Sequence, residues 1–163
     1  MRHPIAGVLA LAALALGRAA ADPLSPHAMV AAANPLAAKA GLDVLKGGGS
    51  ALDAAVAVQA VLGLVEPQSS GLGGGSYMVY YDAHARRARA YDGREVAPAG
   101  ASPDMFLGPD GKPLPFFQAI LTGRSAGVPG AIAMLALAHK EHGRHPWGAL
   151  FGEAESLADD GSS

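Results

Sequence analysis

Apolar residues are grouped along this chain in runs whose spacing changes from one stretch to the next, and each spacing predicts an element. Residues 27–33, HAMVAAA, form a short apolar run that predicts a buried strand. In PLAAKAGLDVLK, Leu36, Ala40 and Val44 recur at i, i+4 and i+8, which predicts a helix over 35–46. Asn34 offers a capping side chain and Pro35 suits the first helical position. Gly47 is expected to end the helix by taking the left-handed conformation. From residue 51 to 64 only Asp53 and Gln59 are polar, so the next helix is apolar on every side and must be buried on every side. Ser50 with Asp53 three residues later has the form of a capping box, and Pro67 stops the helix.

Beyond a glycine loop the period changes. Residues 76–81 and 89–92 are strand-forming runs separated by a polar connection over 82–87, which predicts a hairpin. Residues 98–115 are rich in proline and glycine, with Ser102-Pro103 as a possible helix start and GPDGKP as a turn. The stretch AGVPGAIAMLALAHKEHG predicts an amphipathic helix opening at Pro129 and ending at Gly143. HPWGALFGEAESLADDG predicts one or two further helical turns. Strand, two helices, hairpin, then helices is an α+β order and not a βαβ repeat. No internal repeat is visible and no flexible linker divides residues 22–163.

Composition narrows the picture. At 163 residues the chain is one ordinary domain or part of a larger one. It is 50% hydrophobic and 16% charged, as a core-forming protein is. The formal charge is −2 with no basic block, so nothing invites nucleic acid. The absence of cysteine removes disulfides, thiolate metal sites and a cysteine nucleophile together. Residues 1–21 stand apart: Arg2 and His3, an apolar run over 5–16, and small residues up to Ala21 are expected to form a secretory signal peptide. Its apolar run is shorter than the roughly 20 residues that span a bilayer. Residues 22–163 are then expected to be exported, to the periplasm or outside the cell, with no stable membrane association.

Candidate chemistry is sparse. The loop GLGGGS, residues 71–76, has serine where a dinucleotide fingerprint needs glycine, and it runs from helix to strand. A tight turn with close packing is its better reading. His139, His142 and His145 are spaced at i, i+3 and i+6, but Gly143 takes His145 off the helix face, and a third firm metal ligand is lacking. Ser69, Ser70, Ser76 and Ser125 have no evident base beside them. Asp159-Asp160 fits a solvated helix terminus. Arg94 and Glu95, in YDGREVAPAG, remain. A guanidinium just after a strand, beside a chain reversal, can grip a carboxylate bidentately. Equally, the pair fits a solvated hairpin edge, and the alternation of strand side chains leaves open whether the two touch.

Several blocks together resemble one family. The stretch MVAAANPLAAKAGLDVLKGGGSALDAAVAVQAVLGLVEPQSSGLGGGSYMVYYD, then YDGREVAPAGASPDMFL, then GVPGAIAMLALAHKEHGRHPW, are similar to the start of the mature gamma-glutamyltranspeptidases (glutathione hydrolases), in the same order over about residues 29–161. The resemblance implies an N-terminal nucleophile hydrolase built as a four-layer αββα sandwich, incomplete in this chain. It implies a precursor that cleaves itself into a large and a small subunit, and a newly freed threonine that attacks the gamma-glutamyl bond. Water or an acceptor amine then takes the glutamyl group. The family's R-E-x-A-P block carries the arginine that binds the glutamyl alpha-carboxylate; the matching residues are Arg94 and its neighbour Glu95. No cofactor and no metal are implied.

Two departures bear on packing: Ser50 stands where the family usually has asparagine, and Glu155 stands where an apolar residue is usual. A third bears on activity. The family's nucleophile, oxyanion donors and contacts to the substrate amino group match nothing in these residues, and one arginine does not replace them. The isolated chain is therefore expected to be inactive and marginally soluble, and to need the small subunit as partner. Related cephalosporin acylases share these blocks and act on a glutaryl amide, which is the alternative substrate. A non-catalytic truncated remnant is the alternative outside enzymology.

Overall fold

A computed structural model describes residues 28–161; the signal-peptide expectation lies outside them. Helix α1 is Pro35–Lys46. Asn34 Oδ1 accepts the Leu36 N–H at 2.9 Å, with proline at the first position as expected. The left-handed residue is Gly48 (φ 89°), one place later than expected. Gly47 itself has φ −73° and receives the last ordinary turn. The Gly48 N–H then bonds Leu45 O at 3.1 Å and the Gly49 N–H bonds Val44 O at 3.0 Å, the two-bond closure that puts its left-handed residue one beyond the cap.

Helix α2, Ala51–Val65, opens with the expected capping box between Ser50 and Asp53. Its all-round apolarity is used on two sides. Leu52 and Val56 enter one core cluster with Tyr91, Met134, Leu135, Ala138 and Leu150. Ala57 and Val61 enter another with Ala37 and Ala40 of α1. Among its described residues it opens to solvent at its two ends, at Ala51 and Leu64.

Strands β1, Ser76–Asp82, and β2, Arg87–Gly93, form an antiparallel hairpin with Ser76 opposite Gly93 and Asp82 opposite Arg87. Asp82 Oδ1 accepts the N–H groups of His84 and Ala85 in the turn. Met78 and Tyr80 face the first cluster, while Tyr77, Val79 and Tyr81 project to the open side, 61–75% exposed. The described part of the run 27–33, residues 28–33, does not form the expected strand: the described sheet has two strands, β1 and β2. Val30 and its neighbours lie instead over α1 and α2, beside Leu45, Ala54 and Val58. An apolar run signals burial, and burial against helices gives the same signal as burial in a sheet.

Residues 98–115 are turns, including the expected one at 108–113, where Leu107 pairs with Pro113. The helix start at Ser102-Pro103 is a turn only, closed by Met105 N–H to Ser102 O at 3.2 Å; no apolar period follows to continue it. A single helical turn the sequence did not signal, α3 (Phe116–Ile120), precedes a 3₁₀ turn at Gly123–Ser125. Helix α4, Ala131–His142, buries Ala131, Met134, Leu135 and Ala138 on one face. It starts two residues after Pro129, because Val128 is held extended in a bridge to Val96, as a residue before proline prefers. A 3₁₀ turn, Trp147–Phe151, leads to α5, Gly152–Asp160. There Ala154 and Leu157 pack against the α1–α2 cluster. Glu155 is exposed, so its replacement of an apolar residue leaves this packing intact.

Candidate functional site

The end of β2 is gripped by two segments that are distant from each other in sequence. Gly93 and Gly130 meet so closely that a Cβ on Gly130 would lie 2.5 Å from Gly93 O and 2.7 Å from Arg94 O. The Ala131 N–H bonds Gly74 O at 3.2 Å, and Val96 and Val128 exchange backbone hydrogen bonds of 2.9 and 3.3 Å. The glycine loop, the tail of β2 and the entry to α4 therefore form one backbone cradle. This is the packing role expected of GLGGGS.

Arg94 and Glu95 leave the cradle side by side. The Arg94 N–H is fixed by Asp92 Oδ1 at 2.9 Å. Arg94 Nη2 lies 3.2 Å from Glu95 Oε2, which settles the question left open by strand alternation: the two do pair. Glu95 is seated between glycines. A Cβ on Gly75 would lie 2.6 Å from its carboxyl and 2.8 Å from its backbone nitrogen, and one on Gly127 would lie 2.8 Å from its Cβ. Two missing side chains thus fix where Glu95 sits, and Glu95 holds one nitrogen of the Arg94 fork.

Both residues line an open cleft of about 560 Å³, walled by residues 94–98, by Ala101, Met105 and Phe106, and by residues 124–127. Arg94 is about half exposed there, so its remaining N–H groups are accessible to a ligand. A guanidinium on a rigid backbone, with one edge held by a carboxylate, can receive a second carboxylate on its other edge. Arg124 lines the same cleft and was missed, because a lone arginine in a loop carries no pattern that ties it to a site. Ser125 also lines it, within G-R-S-A-G, residues 123–127. Those letters match a nucleophile elbow, but they sit on a 3₁₀ turn and not between strand and helix. The Ser125 hydroxyl bonds the carbonyls of Ile120 and Thr122 at 3.0 Å, and no histidine is among the described residues lining the cleft.

The three histidines are engaged elsewhere. His139 Nε2 donates to His145 O at 2.9 Å and lies 3.4 Å from Asp53 Oδ1. Because a carbonyl only accepts, that nitrogen carries the hydrogen. His142 stacks on Tyr80 with ring centroids 4.0 Å apart, and its Nε2 lies 2.9 Å from the Tyr91 hydroxyl. Among the described residues no three His, Asp or Glu side chains gather as a metal-binding group. Asp53 itself is fully buried. Burial pushes its carboxyl up, but N–H groups of Ser50, Arg144 and His145 outweigh that and hold it below the ordinary aspartate range. Asp159 and Asp160 are exposed on the last turn of α5, as expected of a solvated terminus.

Comparison with known proteins identifies the family. The protein-family model for Gamma-glutamyltranspeptidase matches residues 37–163. The glutathione hydrolase proenzyme of Bacillus subtilis is 46% identical over 133 residues, 82% of this chain and 23% of that protein. The chain thus spans about a quarter of the length of this curated relative. Among solved structures, the gamma-glutamyltranspeptidase of Helicobacter pylori matches with a TM-score of 0.79 and 34% identity, over 85% of this chain and 39% of that one. A cephalosporin acylase from Bacillus halodurans matches with a TM-score of 0.65 and 30% identity, over 79% of this chain and 23% of that one.

Proposed function

The chain belongs to the gamma-glutamyltranspeptidase family, and on that premise we propose that it is the substrate-anchoring part of an enzyme that cleaves gamma-glutamyl amide bonds. Arg94 binds the alpha-carboxylate of the glutamyl group, and Glu95 orients its guanidinium. A threonine in the part of the relatives' length that this chain does not span attacks the gamma-carbonyl. The amine leaves, and the glutamyl-enzyme passes its acyl group to water, an amino acid or a peptide. The observation that carries this reading is the Arg94 fork itself: clamped backbone, one edge on Glu95 at 3.2 Å, the rest open to the cleft.

The exposed row Tyr77, Val79 and Tyr81 supports the layered-sandwich part of the reading, since a sheet apolar on both faces is one with a layer on each side. We assign the missing layers to the remainder of the precursor, including a small subunit as obligate partner. Residues 1–21 direct export, to the periplasm or outside the cell.

The test is kinetic. In the whole processed protein, Arg94→Ala is expected to raise KM for gamma-glutamyl-p-nitroanilide about 10- to 100-fold, the worth of a charge-assisted bond to a carboxylate, with a smaller change in kcat. Unchanged kinetics would remove the anchor role. The structural likeness to a cephalosporin acylase favours a second reading, with a glutaryl amide as substrate. Glutaryl-p-nitroanilide turned over faster than the gamma-glutamyl anilide would select it.

A further inference from the structure

We propose that Asp92 is a positioning residue for substrate capture: through the backbone of Arg94, its carboxylate sets the direction in which the Arg94 side chain leaves β2 for the cleft. This rests on the reading of Arg94 as the substrate anchor and adds to it the residue that aims the anchor.

Three observations carry it. The first is where the ladder stops. Ser76 opposite Gly93 is the terminal pair of the hairpin, and pairing resumes at Val96, in the bridge to Val128. Arg94 lies in the gap, outside both pairings. Asp92 Oδ1 takes its N–H at 2.9 Å. A side chain that accepts the N–H two residues further on closes an Asx turn, which bends the chain as a backbone turn would.

The second is that the surroundings of Arg94 are fixed by other contacts. A Cβ on Gly93 would lie 2.6 Å from Met134 Cβ and 3.0 Å from Gly130 O, so the residue before Arg94 is held by α4 and its entry. The Arg94 carbonyl lies against Gly130, and Glu95 is seated between Gly75 and Gly127. The bond to Asp92 fixes the Arg94 N–H, and with it the plane of the peptide between Gly93 and Arg94. A long side chain magnifies any rotation at its root, and a misplacement of about 1 Å at a working group costs up to about 100-fold.

The third is that Asp92 stands outside the core. Strand alternation buries Tyr91 and Gly93 and leaves Asp92 exposed between them. The ion-pair partner of the Arg94 fork is Glu95. Asp92 therefore acts on the peptide N–H and not on the guanidinium, a task that an amide oxygen performs as well as a carboxylate.

The experiment is a double-mutant cycle on the whole processed protein, read as KM and kcat for gamma-glutamyl-p-nitroanilide. Asp92→Ala should raise KM about three- to tenfold, the worth of one hydrogen bond, with kcat within about twofold. Asp92→Asn keeps an acceptor oxygen and should stay within about twofold of wild type in both constants. In an Arg94→Ala background, Asp92→Ala should add no more than about twofold, because no guanidinium is left to aim. An Asp92→Ala with wild-type KM, an Asp92→Asn as impaired as Asp92→Ala, or an equal loss with and without Arg94 overturns the proposal. Arg94→Ala keeps the two readings apart. If it leaves KM unchanged, the anchor reading fails and this one with it; if it raises KM while Asp92→Ala does not, only the aiming role falls.

Discussion

The carboxylate of Asp53 accepts the backbone N–H of Arg144 at 2.9 Å, across 91 residues of sequence. The same Oδ2 caps its own helix through the Ser50 N–H at 2.8 Å and reaches the His145 N–H at 3.3 Å. One side chain thereby ties the start of α2 to the loop after α4. Asp53→Ala would leave these N–H groups unpaired in the interior. An expected loss of about 3 kcal/mol or more follows from hydrogen bonds to a buried charge, read as a lower denaturant midpoint with unchanged slope.

Acid sensitivity should follow from the same residue. The folded protein holds the Asp53 carboxyl below its ordinary value, so the folded state binds the proton less readily than the unfolded chain. That contribution is fully present above the unfolded value, about 3.9, and is lost as pH falls through the lower folded value. Stability measured by denaturation between pH 7 and pH 2 should decline below about pH 4. Asp53→Asn should flatten its own share of that decline; an unaltered pH profile would remove Asp53 from the account.

Ser50 caps α2, its Oγ accepting the Asp53 N–H at 3.1 Å. Serine and asparagine cap about equally well. Ser50→Asn is therefore expected to change stability by only a few tenths of a kcal/mol, and Ser50→Ala to cost about 1 kcal/mol. Thermal melts of the two variants would separate these outcomes.

Gly130 is a contact that the site depends on. Its added Cβ would press on two backbone carbonyls, Gly93 O and Arg94 O, neither of which is a movable side-chain end. Gly130→Ala should cost about 1–3 kcal/mol as overpacking does. It should also weaken substrate capture by displacing Arg94. Gly148→Ala, at a glycine with open space around it, is the control and should leave affinity unchanged.

The local features were legible because their causes lie within a few residues. Asn34 and Ser50 cap the helices that follow them, and the apolar period of α4 matches its buried face. The hairpin strands are set by alternation and by the polar turn between them. Where two structures share one local signal, the sequence could not choose: residues 28–33 are apolar whether they join a sheet or lie on helices. The brief α3 was invisible because five residues hardly complete a period.

What the sequence determined by itself was the set of capped helices, the hairpin, and, through its blocks, the resemblance that singled out Arg94 and Glu95. Only the tertiary structure decided that the two residues pair, that Gly75 and Gly127 make room for Glu95, and that Arg124 shares their cleft. Only it gave Asp53 a second task at Arg144. The division is physical: caps and periodicity act between near neighbours, whereas a cleft or a buried carboxylate's partners are set by segments that meet only once the chain has packed.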